Sequence, residues 1–230
     1  MRPFHVAFLA VFLLWQSAPV PVLERDSTGR IRLSVAGGAA RWEEADFDCE
    51  GNFVSSDPAE MRTIGARLDA DLSERLRVTA AVANVRSERV WEGTQNGAML
   101  AAQVAYEGAR LGIGAGATTN ASPLEGTFPN FYLRIGHADG AHFRLDALEP
   151  SETFFAEPPG RIGVAFGRGR IRRVGGFLGL GASPYSQKLV GFGNLEIPAG
   201  PVDVMLRAMY GPGNAISEWG LGTGIRYHAR

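Results

Sequence analysis

The sequence predicts an all-β fold of about twelve antiparallel strands. Apolar side chains recur at every second position over most of the chain, as they do along a strand with one apolar face. Short segments rich in Gly, Asp and Pro separate these runs and are typical of hairpin turns. Glycine supplies 30 of the 230 residues, above its ordinary share, and many glycines occupy the face opposite the apolar one.

The predicted strands follow one another without a change in composition that would mark a second domain. In the segment 111–117, for example, Leu111, Ile113 and Ala115 alternate with glycines. From Met61 to Leu76 the apolar spacing also fits a helical stripe, but the segments that follow favour a strand there too. The predicted bounds are 30–44, 60–73, 75–87, 97–107, 110–119, 128–137, 141–148, 160–168, 171–181, 188–197, 201–210 and 217–228.

The connections between the predicted strands alternate in length. Because consecutive strands of a meander run in opposite directions, tight turns gather at one end and long links at the other. Tight turns are predicted at 73–75, 107–110, 138–141, 167–170 and 198–201, and longer links at 45–59, 88–96, 120–127, 149–159, 182–187 and 211–216.

The N-terminal segment has the pattern of an export signal. A positively charged start is followed by an apolar stretch from Phe4 to Trp15 and by Ala18, a small residue suited to cleavage. We expect a signal peptide over 1–20, a short lead over 21–29 and a single domain over 30–230. The alternatives for the first segment are a retained anchor and a buried strand.

Composition excludes several other classes. Cys49 is the single cysteine, so the exported chain has no internal disulfide. The net charge of −1 argues against nucleic-acid binding as the main role. A helical membrane protein needs repeated runs of about 20 apolar residues, whereas this sequence has one short run at its start.

The alternating connection lengths resemble those of the bacterial outer-membrane β-barrels, including the small porin-like barrels. These proteins are antiparallel meanders with an even strand number, short periplasmic turns and longer external loops. The segment 222–227 is similar to the C-terminal assembly signal of that superfamily. It departs from the signal at Gly220, where a polar residue is usual, and in the residues that follow Tyr227.

The resemblance implies a closed, antiparallel, up-and-down transmembrane β-barrel over 30–230, inserted in the bacterial outer membrane. A sheet in lipid can leave no backbone edge unpaired, so such a barrel closes. The implied partners are outer-membrane lipid and the barrel-assembly machinery. Aromatic girdles are expected from Trp42, Trp91, Phe128, Phe131, Tyr185, Tyr210 and Trp219 at the long-link end, and from Tyr106, Phe143 and Tyr227 at the other.

The polar face of the predicted strands carries charges of both signs. In a barrel these side chains line the lumen, either as a paired network that fills it or as the wall of a channel for small solutes. Inward glycines leave room for a passage or for bulky residues such as Phe177, Met205 and Met209. The lumen-lining candidates are Arg67, Asp69, Arg77, Arg134, Arg144, Asp146, Arg161, Asp203, Arg207 and Arg226, with Asp71 and Glu218 on the same face.

The segment 46–57 is similar to an EF-hand calcium loop. Its candidate oxygen ligands are Asp46, Asp48, Glu50 and Asp57, with Gly51 at the sixth position. Asp57 stands where such a loop has a bidentate Glu, and no flanking helices are predicted. The alternative is an acidic surface loop, and apart from calcium no cofactor is expected.

Three functions are compatible with these patterns. The first is an outer-membrane barrel that acts as a narrow porin-like passage or as a structural surface barrel. The second is an outer-membrane lipid-modifying enzyme, and the third a soluble exported β-barrel that binds an apolar ligand. The sequence disfavours an enzyme, because none of His137, His142 and His228 precedes a Ser by two positions, as in the outer-membrane phospholipases, and no G-x-S-x-G motif occurs.

Overall fold

The first and last strands pair with each other and close the sheet into a barrel. The computed structural model describes residues 31–47, 49–50, 53–89, 93–120, 126–150, 160–167, 174–182, 189–212 and 217–229. Within these ranges twelve antiparallel strands run in sequence order round the barrel, which confirms the predicted fold and strand number. The strands are β1 (Ile31–Phe47), β2 (Phe53–Asp71), β3 (Leu76–Arg89), β4 (Gly93–Glu107), β5 (Leu111–Asn120), β6 (Gly126–Gly136), β7 (His142–Ala147), β8 (Gly160–Phe166), β9 (Gly175–Ala182), β10 (Leu189–Ala199), β11 (Val202–Gly211) and β12 (Glu218–Ala229).

No described segment forms a helix long and apolar enough to cross a membrane. The segments 1–20 and 21–29, predicted as signal peptide and lead, lie outside the described residues. The stretch from Met61 to Asp71, where a helical stripe competes in the sequence, belongs to β2 and is a strand.

The hydrogen-bond register is staggered round the barrel. Ile31 lies opposite Ala229 on β12 and opposite Ala70 on β2. Following registered partners from Ile31 across every strand leads back to β1 near position 43, a stagger of about twelve residues. In a twelve-stranded barrel this stagger corresponds to a strand tilt of about 35–45°. Tilted strands of about 9–11 residues are long enough to cross a bilayer core.

The outer surface of the barrel is a belt of apolar side chains. Leu178, Leu189 and Ile64 are 72%, 67% and 63% exposed, and the outward residues of most other strands are of the same kind. A continuous apolar surface of this size is unfavourable in water and suits lipid. The alternative of a soluble barrel with its apolar residues inward disagrees with this arrangement.

The first four strands extend beyond the rest of the barrel at the end opposite to that at which β1 begins and β12 ends. β1 pairs with β12 as far as Arg41, and beyond it with β2 alone among the described strands. Likewise β4 pairs with β5 from Met99 onward and before that with β3. The long links predicted at 45–59 and 88–96 are therefore wrong, because most of these residues stay in ladders that we call the β1–β4 extension (residues 42–47, 53–59, 84–89 and 93–98).

The turn predicted at 167–170 lies mostly outside the described residues, which stop at Gly167 and resume at Val174. Three residues separate β3 from β4, and three also separate β4 from β5. Connection lengths therefore do not alternate strictly between short and long.

The two faces of the sheet exchange polarity at the base of the β1–β4 extension. On β3 the outward residues change from Val82 to Asn84 and Arg86, whereas the inward residues change from Thr79 to Val85. A sheet surrounded by water is stable with a polar outside and an apolar inside, which is the reverse of a sheet in lipid. The exchange therefore marks the level at which the strands leave the apolar belt.

Trp42 lies inside the extension and not in an aromatic girdle. Its side chain is 1% exposed. The prediction of an interfacial Trp42 is wrong because the apolar face has become the inner face at its level. The cluster that surrounds it consists of Trp42, Ala59, Met61, Ala83, Val85 and Met99.

The other predicted girdle aromatics lie mainly on the outer surface. Phe131, Tyr210, Tyr106 and Tyr227 are between 42% and 65% exposed. Phe128, Phe143 and Trp219 are half-buried, and Trp91 and Tyr185 lie outside the described residues.

We predict that a charge placed on the apolar belt destabilises the barrel and that the same charge on the extension does not. Ala102 and Asn96 are both exposed outward residues of β4, one within the belt and one within the extension. Ala102→Arg should lower the free energy of unfolding by about 2–4 kcal/mol, and Asn96→Arg should change it by less than about 0.5 kcal/mol. Urea unfolding in lipid vesicles measures both values. Equal effects would show that the belt is not in lipid.

Candidate functional site in the barrel lumen

The inner face of the barrel carries balanced positive and negative charge. A charge removed from water needs a partner of opposite sign or hydrogen bonds that replace its hydration. All ten predicted lumen-lining residues face inward in the structure, nine of them buried and Arg77 half-buried. The described residues include six buried arginines (Arg67, Arg134, Arg144, Arg161, Arg207 and Arg226) and six buried carboxylates (Asp69, Asp146, Glu149, Glu196, Asp203 and Glu218).

A chain of ion pairs lines the lumen at the end where β1 begins and β12 ends. Asp71 accepts hydrogen bonds of 3.0 Å from both Arg32 and Arg77. Arg77 continues the chain to Glu107 at 3.3 Å, and Glu107 also lies 3.2 Å from Arg134. The chain connects β1, β2, β3, β4 and β6, so both of its carboxylates bridge arginines from different strands.

Further ion pairs hold the walls near β12. Arg226 donates to Glu196 on β10 at 2.9 Å and to Ser34 on β1 at 3.2 Å. His228 lies 2.6 Å from Asp203, between ring nitrogen Nε2 and carboxylate oxygen Oδ2. These contacts connect β12 to β1 and β10, and through His228 to β11.

The chain turns into the lumen directly after β7, and we call residues 148–150 the re-entrant segment. Thr118 on β5 donates its hydroxyl to the carbonyl oxygen of Leu148 at 2.9 Å. Arg67 on β2 donates Nη1 to the carbonyl oxygen of Pro150 at 2.6 Å. The segment is therefore fastened to the barrel wall at both of its ends.

Glu149, in the middle of this segment, connects opposite walls of the lumen. Its carboxylate lies 2.6 Å from Arg161 on β8 and 3.7 Å from Arg67 on β2, and it also pairs with Arg144 on β7. In the ring of twelve strands β2 and β8 are six positions apart, which is directly opposite. One buried carboxylate thus bridges the full width of the barrel.

The arginines around Glu149 are held by other partners as well. Asp146 accepts a hydrogen bond from Arg144 at 2.8 Å and another from Arg161. The guanidinium of Arg144 stacks 5.0 Å over the ring of Tyr132, and that of Arg161 lies 5.1 Å from the ring centre of Phe192. We call Arg67, Arg144 and Arg161 the arginine cluster.

Leu148 adopts an unfavourable backbone conformation to enter the lumen. Its φ of 50° is the single positive value among the non-glycine residues that the structure describes. Such a conformation costs about 1–3 kcal/mol and persists where the surrounding contacts outweigh it. The side chain of Leu148 packs against the apolar cluster around Trp42, and the charged contacts of Glu149 follow directly.

Inward glycines are covered by neighbouring side chains. A Cβ at Gly112 would lie 2.2 Å from the hydroxyl of Tyr132, and one at Gly114 would lie 2.7 Å from the ring of Tyr132. A second apolar cluster fills the opposite wall with Ala165, Phe177, Val190, Phe192 and Met209. Gly112 and Gly114 therefore provide room for the side chain of Tyr132.

Three lumen carboxylates are absent from the sequence-based candidates: Glu107, Glu149 and Glu196. Glu107 and Glu196 continue the series of inward-facing residues on β4 and β10, so strict alternation identifies both of them as lumen residues. Glu149 lies after the end of β7, where side chains no longer alternate between two faces. The alternation of the sequence therefore does not indicate that this residue points into the lumen.

The segment 46–57 forms a β-hairpin between β1 and β2. Asp57 lies in a ladder opposite Glu44, and Asp46 lies opposite Ser55. Glu50 is exposed at the turn, whereas Asp48 and the side chain of Asp46 lie outside what the structure describes. Within the described residues no three His, Cys, Asp or Glu side chains come together as a metal site. Calcium binding by this segment stays a prediction.

No protein-family model and no curated protein matches this chain. Among solved structures it is similar to the translocator domain of the autotransporter NalP from Neisseria meningitidis. The two share 11% identity with a TM-score of 0.50 over 98% of this chain and 96% of the other. The similarity shows the fold.

Two further solved structures match at lower TM-scores. The transport unit of the autotransporter AIDA-I from Escherichia coli has 10% identity and a TM-score of 0.38, with both chains covered completely. Neisserial surface protein A has 11% identity and a TM-score of 0.31 over 89% of this chain and all of the other.

We predict that the buried ion pairs are essential for stability and that exposed ones are not. Asp146→Asn removes one of the two carboxylates that Arg144 and Arg161 share and leaves Glu149 to face both, which should cost about 3–5 kcal/mol of unfolding free energy. The control is Glu88→Gln on the outer face, where the pair with Arg86 has side chains 56% and 50% exposed. Its cost should be below about 1 kcal/mol. Unfolding titrations in detergent compare the two, and a small effect of Asp146→Asn would contradict the paired lumen.

Proposed function

We propose that the chain is an integral outer-membrane β-barrel whose lumen is closed by its own side chains, and that it serves as a structural surface barrel. The bridge of Glu149 across the lumen is the observation that carries this proposal. The apolar belt supports insertion in lipid, and the closed β1–β12 ladder supports it too, because lipid tolerates no open sheet edge. Outer-membrane lipid and the barrel-assembly machinery are the partners that such a protein requires.

A free diffusion pore needs a continuous path of water between its two mouths. Barrels of about sixteen strands leave an aqueous channel, whereas those of about eight are filled by side chains. Here the intermediate width is occupied by paired charges, by two apolar clusters and by the re-entrant segment. A closed barrel accounts for these contacts better than a porin-like passage does.

The β1–β4 extension supports a role at the cell surface. On β3 and β4 its outward residues Asn84, Arg86, Glu88, Thr94 and Asn96 are polar and exposed. The extension projects beyond the apolar belt at the end opposite to that at which β1 begins and β12 ends. Outer-membrane barrels have their short turns on the periplasmic side. The two-residue connection between β10 and β11 lies at the end opposite the extension, so the extension would stand outside the cell. An exposed sheet whose strands are paired with one another provides a rigid surface, as a structural surface barrel requires.

Planar-bilayer recording tests the proposal. The mature chain, refolded in detergent and shown to be folded by its heat-dependent gel mobility, is added to a bilayer in potassium chloride. A filled lumen predicts insertion without stable conductance steps. Steady steps from the unmodified protein would overturn the closed barrel and favour the porin-like passage.

A further inference from the structure

We propose that the arginine cluster is an oxyanion-binding site, occupied in the closed barrel by Glu149, that binds small anions bearing a carboxylate or phosphate group when the re-entrant segment withdraws. This inference rests on the proposed closed barrel and identifies the ligand class of its lumen. Withdrawal of the segment would convert the closed lumen into an anion-selective passage.

The cluster already binds a carboxylate with three guanidinium groups. Arg161 and Arg67 lie 2.6 Å and 3.7 Å from the Glu149 oxygens, and Arg144 pairs with the same group. Arginine presents several N–H donors in a planar fork that fits carboxylate and phosphate oxygens. A free anion with these oxygens would meet the same donors.

The charges of the site leave one positive charge when Glu149 is removed. Asp69 lies 2.9 Å from Arg67, and Asp146 is shared by Arg144 and Arg161. Among the described contacts, two carboxylates therefore face three guanidinium groups, and Glu149 supplies the third negative charge. The carbonyl oxygen of Pro150, which accepts from Arg67, leaves together with the segment.

The cluster is preorganised without Glu149. Arg144 is fixed by Asp146 and by the ring of Tyr132, and Arg161 by Asp146 and the ring of Phe192. These partners lie on strands of the barrel wall, whereas Glu149 lies on a connection. Movement of the segment would therefore expose a site whose donors keep their positions.

The experiment is recording from the full chain with Glu149→Gln, which removes the negative charge and keeps the size of the side chain. Under a potassium chloride gradient we expect new conductance steps whose reversal potential shifts toward that of chloride. Inorganic phosphate at millimolar concentration should reduce these steps, because it competes for the cluster.

Glu196→Gln is the matched control. Glu196 is as buried as Glu149 and lies 2.9 Å from Arg226, outside the arginine cluster. This variant should remain closed. If it conducts, its conductance should show no preference for chloride and phosphate should not reduce it. If Glu149→Gln fails to fold, Glu149→Asp, which shortens the side chain by one methylene, should give brief chloride-selective openings.

The outcomes separate the inference from the proposed function. A folded Glu149→Gln barrel that stays closed, or that prefers potassium, overturns the oxyanion site and leaves the closed barrel standing. Conductance that phosphate does not reduce also overturns it. Open steps in the unmodified protein instead overturn the closed barrel itself.

Discussion

The backbone ladder between β1 and β12 is the interaction on which the other features depend. It joins Ile31 to Ala229 and leaves no edge within the apolar belt, so the described strands can stand in lipid with their peptide groups paired. Closure also creates an inside, because period-two side chains then point either to lipid or to a lumen. Where β1 runs past β12, the sheet has left the belt and its faces exchange polarity. The apolar cluster around Trp42 is a consequence of that exchange.

The lumen is governed by a second constraint, which is that buried charges need partners. The strands meet it locally, through pairs such as Arg226 with Glu196. Across the width of the barrel, Glu149 on a connection pairs with Arg67 on β2 and with Arg161 on β8. The unfavourable backbone at Leu148 accompanies this arrangement. The proposed closure of the lumen and the proposed anion site both depend on one carboxylate and the three arginines around it.

Much of the fold can be predicted from the sequence, but less of the candidate site. Alternation and turn residues predict twelve strands in an up-and-down barrel, because side chains on the same face of a strand recur at every second residue. Alternation also predicts the inward position of Arg67, Asp146 and Arg161. It does not reveal where the apolar phase changes sides, so alternation alone places Trp42 in a girdle and the extension in loops. Nor does it place Glu149, since a connection has no period and its path is decided by charges on distant strands.

The most direct test of this account is whether the re-entrant segment lies inside the barrel. With Cys49 replaced by serine, Leu148→Cys is combined with Thr118→Cys, which faces the lumen, or with Thr119→Cys, the exposed neighbour on the same strand. Thr118 donates to the Leu148 carbonyl at 2.9 Å, so a short bifunctional thiol reagent should cross-link the first pair and not the second. Cross-linking of the second pair, or of neither, would contradict a lumen closed by Glu149.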